Sequence, residues 1–387
     1  MKTIAVIFGG QSAEHDVSIV TAISSIIKPL ELTKMYKVVP VYVSKNGSWY
    51  SDNKFKNINT FTDGTVDSVI KSSPKLQILI NNGLTLIKPS KLNRRKNTLK
   101  IDIVFPSMHG THGEDGDLMG LLEMTGVTYV GCGVAASAIA MDKIIAKQVT
   151  GFAGIASTPW VWATSAEYLN NSKEVLDRIK HLKYPLFVKP AHLGSSIGIT
   201  KVNDYSGLVN ALEVAMHFDD KIIIEQGVSN LTEVTLPIIG NQKPIPAFLE
   251  QPQIKSEEFF DFETKYMQGG KGGKKGGKNS GSQGYSTIPA QLDVELYNKA
   301  EALGLAVYKT VGCTGIARVD MLIDSLTREV FFNEINPMPG GLYAHNWQKK
   351  GINKIQLVTS LVNYAEESSL NKNKLQTSFN TNYLKQF

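Results

Sequence analysis

Arg318 and Asp320 stand two residues apart in GIARVDMLID, and Glu334 and Asn336 stand two apart in VFFNEINPMPGG. Strand side chains alternate in direction, so each pair shares one face of a strand. Asp320, Glu334 and Asn336 would then offer three hard oxygen ligands beside a guanidinium, the donor set that Mg²⁺ on nucleotide phosphates requires. Two half-buried strands with polar outer faces would give the same spacing. The residues after Asn336 favour the functional reading: Pro337, Pro339, Gly340 and Gly341 form a turn whose N–H groups can face a bound anion.

Other segments offer complementary chemistry. Gly9 to Ser18 (GGQSAEHDVS) joins a strand to a helix start, where Glu14 could grip an ammonium or serve as an ordinary first-turn acid. His109 lies in HGTHGEDG, a glycine-rich turn that lets backbone approach a small ligand closely. Zinc is disfavoured there, because His109 and His112 are three apart in a loop rather than four apart on a helix. Lys143 and Lys189 precede Leu193 to Gly198 (LGSSIG), and two lysines with a serine loop make a phosphate cradle without a Walker sequence. GGKKGGKN, from Gly272 to Asn279, imitates a Walker loop but ends in asparagine and reads as a flexible insertion.

The elements that must position these groups are legible as patterns. KTIAVIFGG, YKVVPVYVS and DIVFPSM are apolar strands, and helical stretches, one from His15 to about Leu30, separate them. That alternation predicts an α/β unit, a doubly wound parallel sheet with ligands at its carboxyl edge. A helix is expected around Ala135 to Thr150, then a second unit through YPLFVKP and KIIIEQ. From about Gly227 longer strands predict an α+β part with a mixed sheet and a helix near Asp293 to Val311. The expected domains are residues 1–141, 142–226 and 227–387.

Composition sets limits. A chain of 387 residues can hold several ordinary domains, and it has no long uncharged apolar run. Met1 leads straight into a strand pattern, so a cytoplasmic protein without a membrane segment is expected. Cys132 and Cys313 are too few for a disulfide framework and read as buried thiols. The formal charge is +6, but Lys271, Lys274, Lys275 and Lys278 sit together in the glycine-rich insertion, so no nucleic-acid surface is implied.

Taken in order, GGQSAEHDVS, HGTHGEDGDLMGLLE, AMDKIIAK, VKPAHLGSSIGI, FFDFETKY, GCTGIARVD and NEINPMPG resemble the D-alanine-D-alanine ligases of the ATP-grasp superfamily. The resemblance implies three domains, ATP between two mixed sheets, and joining of two D-alanines with release of ADP and phosphate. It implies ATP phosphate contacts at Lys143, Lys189, Lys265, Ser195 and Ser196, with Glu225 near adenine and Glu233 on the ribose. Two Mg²⁺ ions, or Mn²⁺, would be held by Asp320, Glu334 and Asn336. Glu14 would bind the first substrate's amine with His109 nearby, and Arg318 and the Gly340 N–H would stabilise an oxyanion. FFDFETKYMQGG through GYSTIPA resembles the family's omega loop, whose Tyr266 would join Glu14 and Ser195 in one hydrogen-bonded set. A homodimer is likewise implied.

The sequence departs from the family in GGLYAHN, where His345 stands in place of a serine expected to hold the second substrate's carboxylate. That leaves open a ligase using D-serine, D-lactate or another amino acid, or a nucleotide-binding protein without catalysis.

Overall fold

The computed structural model describes residues 1–81, 83–89, 97–252 and 286–387. Lys2–Gly9 is the centre of a five-stranded sheet in the order Trp49–Tyr50, Tyr36–Val43, Lys2–Gly9, Ile103–Pro106, Thr128–Tyr129. Its pairings are parallel except for the edge hairpin of Tyr36–Val43 with Trp49–Tyr50. The continuous apolar run of the central strand follows from burial on both faces. Ile4, Val6 and Phe8 join one core, Ala5 and Ile7 another. The expected first helix is present as His15–Thr21, a π-helical stretch Ala22–Ile27, and Lys28–Leu32. A three-stranded antiparallel sheet of Gln77–Ile80, Leu84–Lys88 and Asn97–Ile101 was not legible in the sequence.

Two four-stranded sheets complete the core of the chain. After the five-stranded first sheet, the second sheet runs Thr200–Val202, Leu186–Pro190, Lys221–Gln226, Trp160–Thr164, and the third sheet runs Ile245–Pro246, Leu231–Gly240, Gly315–Asp324, Glu329–Asn336. The structure corrects the expectation of mixed sheets, since among the described residues every strand-to-strand pairing within both is antiparallel, with one isolated parallel bridge of Ser157 to Phe332 beside them. For the pair Gly315–Asp324 and Glu329–Asn336 a short connection explains it: the turn between Asp324 and Glu329 permits a hairpin, whereas a parallel partner needs a long crossover.

The helix expected around Ala135 to Thr150 is two helices, Val134–Met141 and Lys143–Phe152. Asp142 breaks the run, because its carboxylate caps the second helix through Ile144 N (2.9 Å) and Ile145 N (3.0 Å). Helix Val294–Val311, capped by Asp293, covers the third sheet with Leu296, Ala300, Val307, Tyr308 and Val311. Helix Lys354–Lys372 packs Leu357, Val358, Leu361 and Val362 into the core that contains Ile4, Val6 and Phe8. This last contact brings the segment after Asn336 against the first sheet. Both cysteines are free and buried. No helix among the described residues is long and apolar enough to cross a membrane.

Candidate active site

Strand periodicity aims the functional groups of both antiparallel sheets into the space between them. In the second sheet Leu186, Val188, Ile222 and Ile224 enter a core, which leaves Lys189 and Glu225 on the opposite face. In the third, Val234, Leu236, Ala317, Val319 and Met321 enter the other core, which leaves Glu233, Thr235, Arg318 and Asp320 facing away from it. Glu334 and Asn336 reach that same face through an irregularity. Asp320 pairs with Glu334 and Met321 with Phe332, so Asn333 is an extra, unpaired residue. The bulge changes parity: Val330 and Phe332 are core residues before it, Ile335 after it.

Three lysines cross to this strand. Lys143 Nζ donates to Leu193 O (2.7 Å) and lies 3.4 Å from Glu334 Oε2. Lys189 Nζ donates to Asn333 Oδ1 (3.3 Å) and lies 2.5 Å from Glu225 Oε2. Lys147, one helical turn beyond Lys143, is 2.7 Å from Glu225 Oε1 and donates to Phe332 O (3.2 Å). The Glu225 carboxylate, which the family resemblance places near adenine, is therefore buried between two ammonium groups. Burial alone would raise its pKa, but Lys147 and Lys189 pull it down to about 2. Burial lowers the pKa of Lys147, whereas for Lys189 the burial penalty is outweighed by Glu225 and the pKa rises.

Beyond Lys189, the loop holds Ser195 and Ser196 at φ of 54° and 60°, a left-handed conformation costly for serine and common at functional sites. Ser195 Oγ donates to Glu14 Oε1, a contact that the family resemblance implies. Glu14 is enclosed by glycine: a Cβ on Gly110 would lie 3.1 Å from Glu14 Oε2, and one on Gly194 3.2 Å from it. Lys265 and Tyr266, with the rest of the expected omega loop apart from its last residues, lie outside the described residues.

Arg318 is held by its strand neighbour, Nε donating to Asp320 Oδ1 (2.8 Å) and a terminal nitrogen to Oδ2 (2.6 Å). Thr235 Oγ1 also donates to Asp320 Oδ1, at 2.5 Å. The guanidinium lies 5.2 Å from the centre of the Tyr343 ring. Asn336 Oδ1 accepts from Met338 N (3.0 Å), which fixes the amide and leaves its carbonyl one further lone pair.

The turn after Pro339 takes three left-handed residues in succession, Gly341, Leu342 and Tyr343. Gly341 N donates to Thr21 Oγ1 (2.9 Å), and His109 Nε2 is 3.1 Å from the same hydroxyl. One threonine thus joins the first helix, the HGTHGEDG loop and the PGG turn. His109 also lies 3.8 Å from Glu114; burial opposes its charge, but Glu114 prevails and its pKa rises. His112 turns away to Asp117 (2.7 Å), so the two histidines do not converge. His345 is engaged too: Nε2 lies 2.9 and 3.1 Å from the two oxygens of buried Glu250, and its ring is 4.9 Å from that of Tyr343. Asn346 Nδ2 donates to Glu250 Oε2 (3.1 Å).

Thr21, Lys147, Thr235, Glu250 and Tyr343 were not singled out from sequence. Only Lys147 carried a signal, its four-residue spacing from Lys143 in DKIIAK.

Comparison with known proteins agrees with this architecture. The family models for the D-ala D-ala ligase N-terminus and C-terminus match residues 3–132 and 149–363. A D-alanine–D-alanine ligase of Chloroherpeton thalassium is 36% identical over 373 residues, 95% of this chain and 96% of that protein. One from Acetivibrio thermocellus is 36% identical over 379 residues, 94% of this chain and 96% of that protein. Among solved structures, the D-alanine-D-alanine ligase of Coxiella burnetii superposes with a TM-score of 0.76 at 25% identity, covering 96% of each chain. The VanG D-Ala:D-Ser ligase of Enterococcus faecalis does so at 0.75 and 30% identity, covering 94% of this chain and 99% of that one. The fold and its facing antiparallel sheets are those of an ATP-dependent ligase of the ATP-grasp class. Within that class, the chain belongs to the D-alanine-D-alanine ligase family.

Proposed function

We propose that this enzyme joins two D-alanines into D-alanyl-D-alanine at the expense of ATP, supplying a dipeptide for peptidoglycan precursors. The observation that carries the reading is the meeting of Arg318, Asp320, Glu334 and Asn336 on one sheet face with Lys143 and Lys189 from the facing side. A carboxylate is a poor electrophile. The first D-alanine's carboxylate therefore takes the γ-phosphoryl group of ATP, giving an acyl phosphate and ADP, and the second amino acid's amine displaces phosphate from the carbonyl. Lys143, Lys189 and the Ser195–Ser196 loop hold the phosphates, and Glu233 faces the ribose. Glu14 and His109 orient the first substrate. Arg318 and the N–H of Gly340 meet the charge that develops on the tetrahedral oxygen.

Asp320, Glu334 and Asn336 fit Mg²⁺: all three offer hard oxygens, and Asp320 and Asn336 keep lone pairs beyond those given to Arg318, Thr235 and Met338. When bound, the metal would neutralise phosphate charge. Division near residues 141 and 226, a cytoplasmic location and a homodimer complete the proposal. Tyr266 and Lys265 would close over the reacting groups and exclude water from the acyl phosphate.

A second reading, D-alanine joined to a different acceptor such as D-serine, is favoured by one feature. His345, where the family resemblance leads one to expect a carboxylate-binding serine, is held by Glu250. ADP release with mass analysis of the product decides between them. Turnover with D-alanine alone supports the first, turnover only with an added acceptor supports the second, and ATP binding without turnover for any acceptor defeats both.

A further inference from the structure

His192 opens the serine loop, and its ring is placed between two carboxylates from different segments. Nδ1 lies 3.0 and 3.1 Å from the oxygens of Asp219, and Nε2 lies 3.2 Å from Asp142 Oδ2. Its backbone N–H donates to Asp219 Oδ2 (2.7 Å). Asp142 is the residue that caps helix Lys143–Phe152, and its Oδ2 also accepts from Lys221 Nζ (2.9 Å). Lys143 is tied to the same loop twice, through its N–H to Ala191 O (3.1 Å) and through Nζ to Leu193 O (2.7 Å).

We propose that His192 is a positioning residue which, with both ring nitrogens donating, clamps the serine loop to the start of the Lys143 helix and to the turn before strand Lys221–Gln226. The inference rests on the reading of this loop as the phosphate site. A neutral imidazole has one donor and could satisfy only one of the two carboxylates, so the clamp is complete only in the charged ring. The charged groups around the ring are Asp142, Asp219, Asp220 and Lys221. Hydrogen bonds to Asp142 and Asp219 outweigh burial and lift the ring from 6.5 to about 9. Because the folded-state value is the higher one, the clamp's stabilisation is complete below about 6.5 and is lost as pH rises through about 9.

The test combines the ring's own titration with nucleotide affinity. Imidazole NMR of the full-length protein, with the His192 signal assigned by its absence from His192→Ala, should show a ring that is charged at pH 7.5. Calorimetry with ADP and Mg²⁺ should give a dissociation constant about tenfold weaker in His192→Ala and largely restored in His192→Arg, whose charge persists. Wild-type affinity should weaken above about pH 9, and His192→Arg should lack that weakening. A ring neutral at pH 7.5 overturns the proposal, as does unchanged affinity in a folded His192→Ala. If that variant does not fold, the comparison of wild type with His192→Arg across pH decides. Absence of ADP binding in the wild type defeats the phosphate-site reading itself, and is distinguishable because it precedes any substitution.

Discussion

The lysine side and the arginine side of the site hold their charges by different means. Arg318 is satisfied by Asp320, two residues away on the same strand, with a bidentate geometry that the pleat makes almost automatic. Lys147 and Lys189 share a single carboxylate, Glu225, contributed by another part of the sequence. The first arrangement is local and survives as long as the strand does. The second exists only once helix and sheet have packed, which leaves Lys147 and Glu225 almost wholly buried. The lysine cluster is therefore expected to report on folding, the arginine cluster on chemistry.

Glu225→Ala tests that contrast most severely. Leaving two buried ammonium groups without their carboxylate should cost about 3–5 kcal/mol, read as a large fall in unfolding midpoint. The same ion cluster predicts an acid limb. The carboxyl is pulled below its ordinary 4.5 to about 2, so its stabilisation is complete above about 4.5 and lost as pH falls towards 2. Urea titrations of the wild type across that window, compared with Glu225→Gln, would expose this slope; equal slopes would refute it.

Arg318→Ala should weigh on chemistry instead, lowering kcat about 100- to 1,000-fold, with a smaller fall in unfolding midpoint than Glu225→Ala because the Asp320 carboxylate left behind is partly exposed. Turnover preserved in a folded variant would remove Arg318 from the oxyanion. His345→Ser, which takes one partner from Glu250 and restores the family's small hydroxyl, should alter KM for the second amino acid about tenfold while KM for ATP stays put. A change confined to ATP would move His345 to the other side of the comparison. The smallest effect belongs to Thr21→Val, which strips Gly341 N and His109 of a shared partner and should cost about 1 kcal/mol in chemical denaturation.

The same contrast explains what was legible beforehand. Strand parity displayed Arg318 with Asp320 and Glu334 with Asn336, and chain order displayed the parallel first sheet. Lys147–Glu225, His345–Glu250 and Thr21–Gly341 are contacts between segments far apart in sequence, for which no local pattern exists. Asp142 was misread as helix interior because its apolar neighbours continue a helical pattern through it. The antiparallel sheets were misread because apolar strands do not announce their direction.

Asn333 carries a consequence that no side-chain comparison would reveal. With Val330 and Phe332 setting the frame, unbroken alternation would put Glu334 on the core face, and Asn333 is the residue that the pairing skips to prevent it. The metal-type ligands are thus specified by a count as much as by identity. A strand of the same residues paired without that skip would keep every acidic and amide group and still turn the reactive surface inside out, offering Ile335 to the phosphates.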